Sequence, residues 1–151
     1  MKAWLLWSGL LVACTFSCQQ DNSPHPAKRA LLSEQAPQPI GPYSQAIERN
    51  GLLFVSGQIA IDPASGAMDT TTIEVETKRV MDNLSAVLSA GGYSFDHVLK
   101  CTIYMTDLAD FAKVNTVYGG YFSSDPPARE TVQVAALPKG AHIEISLIAG
   151  K

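Results

Sequence analysis

Apolar positions along this chain follow two rhythms, one of period two and one of helical spacing, and together they lay out the elements. From Val98 to Met105, Leu99, Cys101, Ile103 and Met105 share one parity, the mark of a strand with a single buried face. Val98, Thr102 and Tyr104 fall on the other parity. The stretch from Pro126 to Lys151 holds two more period-two runs, one with Val132, Val134 and Ala136, the other with Ile143, Ile145 and Leu147. Leu137-Pro138-Lys139-Gly140 turns the chain between them, which predicts a hairpin. Because side chains alternate across a strand, Arg129, Thr131 and Gln133 form the other face of the first run, and His142, Glu144 and Ser146 that of the second. The expectation is a guanidinium and a carboxylate, Arg129 and Glu144, on one polar sheet face.

Helical spacing takes over between Thr70 and Gly91, where Ile73, Val80, Met81, Leu84, Val87 and Leu88 make one stripe. The threonines supply an N-cap and Gly91-Gly92 a stop. Asp107 is placed to cap a second helix, whose period runs through Leu108, Phe111, Val114 or Asn115, and Tyr118. Earlier in the chain, Asn50-Gly51 ahead of Leu52-Leu53-Phe54-Val55 predicts a tight hairpin, since such a turn needs positive φ at both central residues. Ile59 to Asp69, with Asp62-Pro63 and Ser65-Gly66, reads as a turn-rich loop. The order β-β-α-β-α-β-β, with a hairpin at each end, predicts an α+β fold with two helices on one face of a mixed sheet of four to six strands. Its other face, with Thr102, Tyr104, Val98, Gln133 and Ala135, is too apolar for water and too polar for a dry core. A closed homo-oligomer that stacks these faces, with pockets between subunits, satisfies both demands.

The N-terminus follows a different logic. Met1-Lys2 and the apolar run Ala3 to Ala13 have the layout of a secretory signal and are too short to span a bilayer. Residues 1–18 are read as that signal, with Leu11-Val12-Ala13-Cys14 resembling a lipobox cleaved before Cys14; Cys18 is the alternative acceptor. Residues 19–29 are a flexible tether and 30–151 the folded domain, with one short strand around Ala30 to Ser33. Acylation of Cys14 places the protein at a membrane, as an exported periplasmic or cell-envelope lipoprotein, because stable anchoring takes more than one acyl chain. A cytoplasmic location requires that the segment not be a signal.

Composition narrows the chemistry. At 151 residues, 46% hydrophobic, the chain has enough apolar content for one ordinary core. A formal charge of -3 with scattered Lys and Arg leaves no basic stripe for a phosphate backbone, so nucleic acid is not expected as a partner. No nucleophile elbow, Walker loop, dinucleotide fingerprint or zinc-protease helix occurs, which points away from most cofactor enzymes. His97 and Cys101 lack further ligands at zinc spacing, so no metal is expected, and Cys101 reads as an inert core thiol. His25 and His142 read as solvated. Arg129 follows the stiff Asp125-Pro126-Pro127-Ala128, which fixes where its fork points, and a fixed guanidinium suits a carboxylate. On pattern alone a surface Arg129, paired with an exposed Glu144, stays open beside the functional reading.

Several linked motifs go further. Gly41-Pro42-Tyr43-Ser44-Gln45-Ala46, Val55-Ser56-Gly57-Gln58-Ile59, Val114-Asn115, Pro127-Ala128-Arg129, Val134-Ala135-Ala136-Leu137-Pro138-Lys139-Gly140 and Ile143-Glu144-Ile145 occur in that order. From about Ala30 to Ala149 the chain resembles the RidA (YjgF) family of reactive-intermediate deaminases. The resemblance implies a chorismate-mutase-like fold, a homotrimer whose sheets form a central barrel, and clefts between neighbouring subunits. It further implies hydrolysis of 2-imino or enamine acids, of the 2-iminobutanoate or 2-iminopropanoate type, to 2-oxo acids and ammonia without metal or cofactor. Arg129 would then hold the substrate carboxylate and Glu144 would position or activate water. Tyr43, Ser56, Gly57 and Asn115 would line the pocket. Thr131 stands where many members carry Cys, offering a hydroxyl instead, and Ser146 where Glu is common. The alternatives are a non-catalytic binding module for small carboxylates and, more remotely, a ribonuclease.

Overall fold

The computed structural model describes residues 27–151; the expected signal, Cys14, Cys18 and most of the tether lie outside the described residues. Six strands form one sheet in the order β1-β2-β3-β6-β4-β5. They are β1 (Arg29–Leu31), β2 (Ala46–Arg49), β3 (Leu52–Gln58), β4 (Val98–Met105), β5 (Ala128–Gln133) and β6 (Ile143–Gly150). Helices α1 (Ile73–Ala90) and α2 (Phe111–Gly119) cover one face, giving the α+β fold expected.

Local chemistry sets the boundaries. Asn50 and Gly51 take φ of 53° and 74°, closing β2 onto β3. Thr72 caps α1 by accepting from the Val75 amide at 3.3 Å, and Gly92, at φ 74°, lets the chain reverse after Gly91. Asp107 accepts from the Ala109 amide at 2.8 Å and starts a 3₁₀ turn, Leu108–Asp110, that leads into α2.

The core lies between helices and sheet. Leu53 and Val55 of β3, Cys101, Ile103 and Met105 of β4, and alternate residues of β6 from Ile143 meet Val80, Met81, Leu84, Val87 and Leu88 of α1. Val114 and Tyr118 add the α2 contribution. Of the stripe predicted for the second helix, Leu108 and Phe111 instead remain 40% exposed, because the chain there is a 3₁₀ turn and the helix begins only at Phe111.

Two other expectations are corrected. Leu99 is 54% exposed while Val98 is buried, because β4 carries an extra residue against β6 between Val98 and Lys100, and the bulge switches faces. The C-terminal runs do not form a hairpin either. β4 lies between them, parallel to β5 and antiparallel to β6. Helix α2 is the crossover that brings β5 alongside β4 in parallel, which leaves the central slot beside β3 for β6.

Polar side chains inside the fold brace it. Glu76, in the first turn of α1 and only 1% exposed, accepts from the His142 amide at 2.7 Å and meets His142 Nδ1 at 2.9 Å. It thereby ties the start of β6 to α1, and gives His142 a partner where only solvent was expected. Asn83 Nδ2 donates to the carbonyls of Ile59 and Ile61 at 3.1 and 2.9 Å, pinning the turn-rich loop to the same helix.

Candidate active site in two halves

The strand register separates the residues expected to act together. Arg129 pairs with Cys101 and Thr131 with Ile103, so both side chains lie on the helix face of the sheet. Glu144 pairs with Tyr104 on the opposite face. The expectation that Arg129 and Glu144 share one polar face is therefore wrong within a single chain. β5 is an edge strand, and its polar parity faces α2 because an aromatic shelf there receives a guanidinium.

On the helix face, Arg129 Nη1 donates to Asn115 Oδ1 at 2.8 Å. Its guanidinium carbon lies 4.9 Å from the centre of the Tyr118 ring and 5.6 Å from that of Phe111, within cation–π range of both. Arg129 forms no ion pair among the described residues, whereas Arg29 and Arg79 each meet a carboxylate. A fork held on one edge by an amide and on its flat side by rings presents its remaining N–H groups to an incoming anion. Thr131 Oγ1 is buried nearby in the strand without a hydrogen-bond partner among the described residues. Below the fork, burial pushes the Cys101 thiol up and keeps it protonated, in keeping with an inert core residue.

On the open face, Tyr43, Ser56, Gly57 and Glu144 line one hollow of about 300 Å³. The loop before β2 forms its mouth. Gln45, 1% exposed, accepts from the Ser33 amide at 2.6 Å and donates to the Pro37 carbonyl at 2.8 Å, with longer contacts to Ser33 and Ala36 oxygens. Tyr43 steadies the same loop, its hydroxyl accepting from the Ile40 amide at 3.2 Å. Ser56 Oγ donates to the Ser44 carbonyl at 2.7 Å, so its proton is committed to the scaffold. Glu144 lies directly over Gly57, where the β3–β6 register shifts, and burial pushes its carboxyl above the usual range with no neighbouring charge to offset it.

The candidate residues thus fall into a carboxylate half, with Tyr43, Ser56, Gly57 and Glu144, and a guanidinium half, with Arg129, Asn115 and Thr131. Periodicity did not single out Gln45, Ile40, Ile59, Ile61 or Pro138, which also shape the hollow. The signal for Gln45, Ile59 and Pro138 was present, since all three belong to the linked motifs of the sequence.

A fold of this topology with these two half-sites defines a recognisable class. The family model described as endoribonuclease L-PSP matches residues 33–151, and the chain belongs to this family, the RidA/YjgF family. Among its relatives, DfrA of Myxococcus xanthus is 54% identical over 125 residues, covering 82% of this chain and 95% of its own. The 2-iminobutanoate/2-iminopropanoate deaminase of Capra hircus is 43% identical, covering 81% of this chain and 89% of its own. The crystal structure of RidA from an Antarctic Psychrobacter superposes with a TM-score of 0.79 at 36% identity, over 82% of this chain and 99% of that one.

Proposed function

We propose that the protein hydrolyses reactive 2-imino and enamine acids to 2-oxo acids and ammonia, in clefts formed between copies of the chain. The observation that carries this reading is Glu144, a carboxylate held without a countercharge over Gly57 in an open hollow. A protonated C=N carbon is already electrophilic. Glu144 takes a proton from water as the oxygen bonds to that carbon, giving a carbinolamine. Glu144 passes that proton to nitrogen and then takes the hydroxyl proton as the C–N bond breaks, so ammonia leaves and the C=O of the 2-oxo acid remains. Orientation supplies much of the acceleration, with Arg129 holding the substrate carboxylate by its free N–H groups. Because Arg129 and Glu144 face away from each other in one chain, they meet only when the Arg129 half of one copy covers the Glu144 half of the next. A homotrimer with three such clefts supplies that arrangement.

The test is ammonia release from imines generated in situ by an amino-acid oxidase. Arg129→Ala and Glu144→Gln are each expected to reduce kcat/KM by about a hundredfold or more. Because the Glu144 carboxyl is raised, wild-type activity falls as pH drops through a value above the ordinary carboxylate range. The linkage also fixes a sign for stability. A raised folded-state value favours the fold fully below the unfolded value and loses that contribution as pH rises through the folded one. Glu144→Gln is therefore expected to melt higher than wild type at neutral pH and to lose that advantage in acid. Variants as active as wild type would defeat the reading.

The family description also carries a ribonuclease reading, but among the described residues of one chain no Lys or Arg lines the hollow to take a phosphate backbone. For residues 1–18 we infer an export signal with acylation at Cys14, motivated by the lipobox-like Leu11 to Cys14. Mass spectrometry of the mature N-terminus is expected to find a lipid on Cys14, and an intact Met1 would end that inference.

A further inference from the structure

The hollow says more about which imines fit. Most of its polar groups are already engaged by the backbone. Gln45 holds the Ser33 to Pro37 segment, Ser56 binds the Ser44 carbonyl, and Gln38 reaches the Ser33 carbonyl at 3.4 Å. Gln58 Nε2 turns back to the carbonyls of Ser56 and Gly57 at 3.3 and 3.4 Å. That leaves the Glu144 carboxylate, the Tyr43 hydroxyl proton and the neutral side-chain oxygens of Gln38 and Gln58 to meet a ligand. The remaining wall is aliphatic, made of Ile40, Ile59 and Ile61 with Pro37 and Pro138.

This wall is built in advance. Ile59 and Ile61 pack with Ala141, Met68 and Leu137 in an apolar cluster separate from the main core. Asn83 fixes the backbone of both isoleucines from behind, and Gln45 fixes Pro37. A preformed apolar wall with a few directed polar groups is the usual make-up of a small-molecule site. In one chain the space, at about 300 Å³, exceeds what a methyl or ethyl side chain fills, and among the described residues of that chain no cation lines it to receive a second carboxylate.

Building on the deaminase reading, we infer that the preferred substrates are 2-imino acids with extended aliphatic or thioether side chains, which lie against Ile40, Ile59 and Ile61. The side chain points into the hollow of the copy that supplies Glu144. The substrate carboxylate points out toward the Arg129 of the neighbouring copy. Small imines leave the wall wetted, and acidic ones place a second negative charge beside Glu144.

The test uses the full-length protein with imines generated in situ from leucine, methionine, alanine and glutamate. The kcat/KM for the leucine and methionine imines is expected to exceed that for the alanine imine by about tenfold or more, the scale on which apolar pockets discriminate added methylenes. The glutamate imine is expected to rank last. Ile40 is 56% exposed, so Ile40→Asp is tolerable to the fold and is expected to cut the leucine-to-alanine ratio by about tenfold. An alanine imine processed as well as the leucine imine, or a ratio unmoved by Ile40→Asp, overturns the inference and leaves the deaminase reading standing. Turnover of none of the four overturns both.

Discussion

Arg129→Ala and Glu144→Ala chains, each inactive alone, are expected to recover activity when co-expressed and purified as mixed assemblies. The strand register is the reason. Arg129 lies on the helix face against Asn115, Tyr118 and Phe111, and Glu144 on the open face over Gly57, so the proposed cleft takes one from each of two copies. A mixed cyclic trimer of either composition joins an Arg129-bearing half to a Glu144-bearing half at one cleft in three, so about a third of wild-type turnover returns. Assemblies carrying both tags, isolated by sequential affinity steps, give the measurement. A mixture as silent as its parents would mean that both groups act from the same chain, and the two-copy cleft would be lost.

Gly57→Ala is expected to be nearly as damaging although it removes no reacting group. A Cβ on Gly57 would stand 1.8 Å from Glu144 Oε1 and 2.7 Å from its Cδ, far inside contact distance. The carboxylate must swing out of the hollow, and a displacement of that size costs about a hundredfold in rate or more. The fold itself is expected to survive. Residue 57 is not among the positive-φ glycines, and Glu144 is only half buried, so the side chain can leave toward solvent. The check is kcat/KM beside a thermal melt. Near-normal activity would show that Glu144 works from a position other than the one over Gly57.

Much of the fold was legible because the informative signals were local. The strand Val98–Met105 has the bounds its alternation marks, Asn50-Gly51 makes its turn, and Thr72 and Gly91 bracket the long helix. Alternation groups side chains by face but does not say which face looks where. For central β6 the apolar parity settles the matter, since Ile143, Ile145 and Leu147 can face only the core. For edge strand β5 it misleads. Val132 is 45% exposed on the open face, and Arg129 turns toward α2, where two rings and an amide receive it. The bulge that exchanges Val98 for Leu99 was hidden for a related reason, since pairing between distant strands decides it. Glu76 and Asn83 escaped because their work is to satisfy backbone groups far away in sequence, which no local pattern records.

If the proposed cleft is right, the back-to-back placement of Arg129 and Glu144 also makes catalysis a matter of abundance. On this reading a solitary copy carries both halves pointing away from each other and does no chemistry. At dilutions where assemblies come apart, halving the amount of protein removes more than half of the turnover. Specific activity then becomes a gauge of subunit association, rising with concentration until every copy has a neighbour.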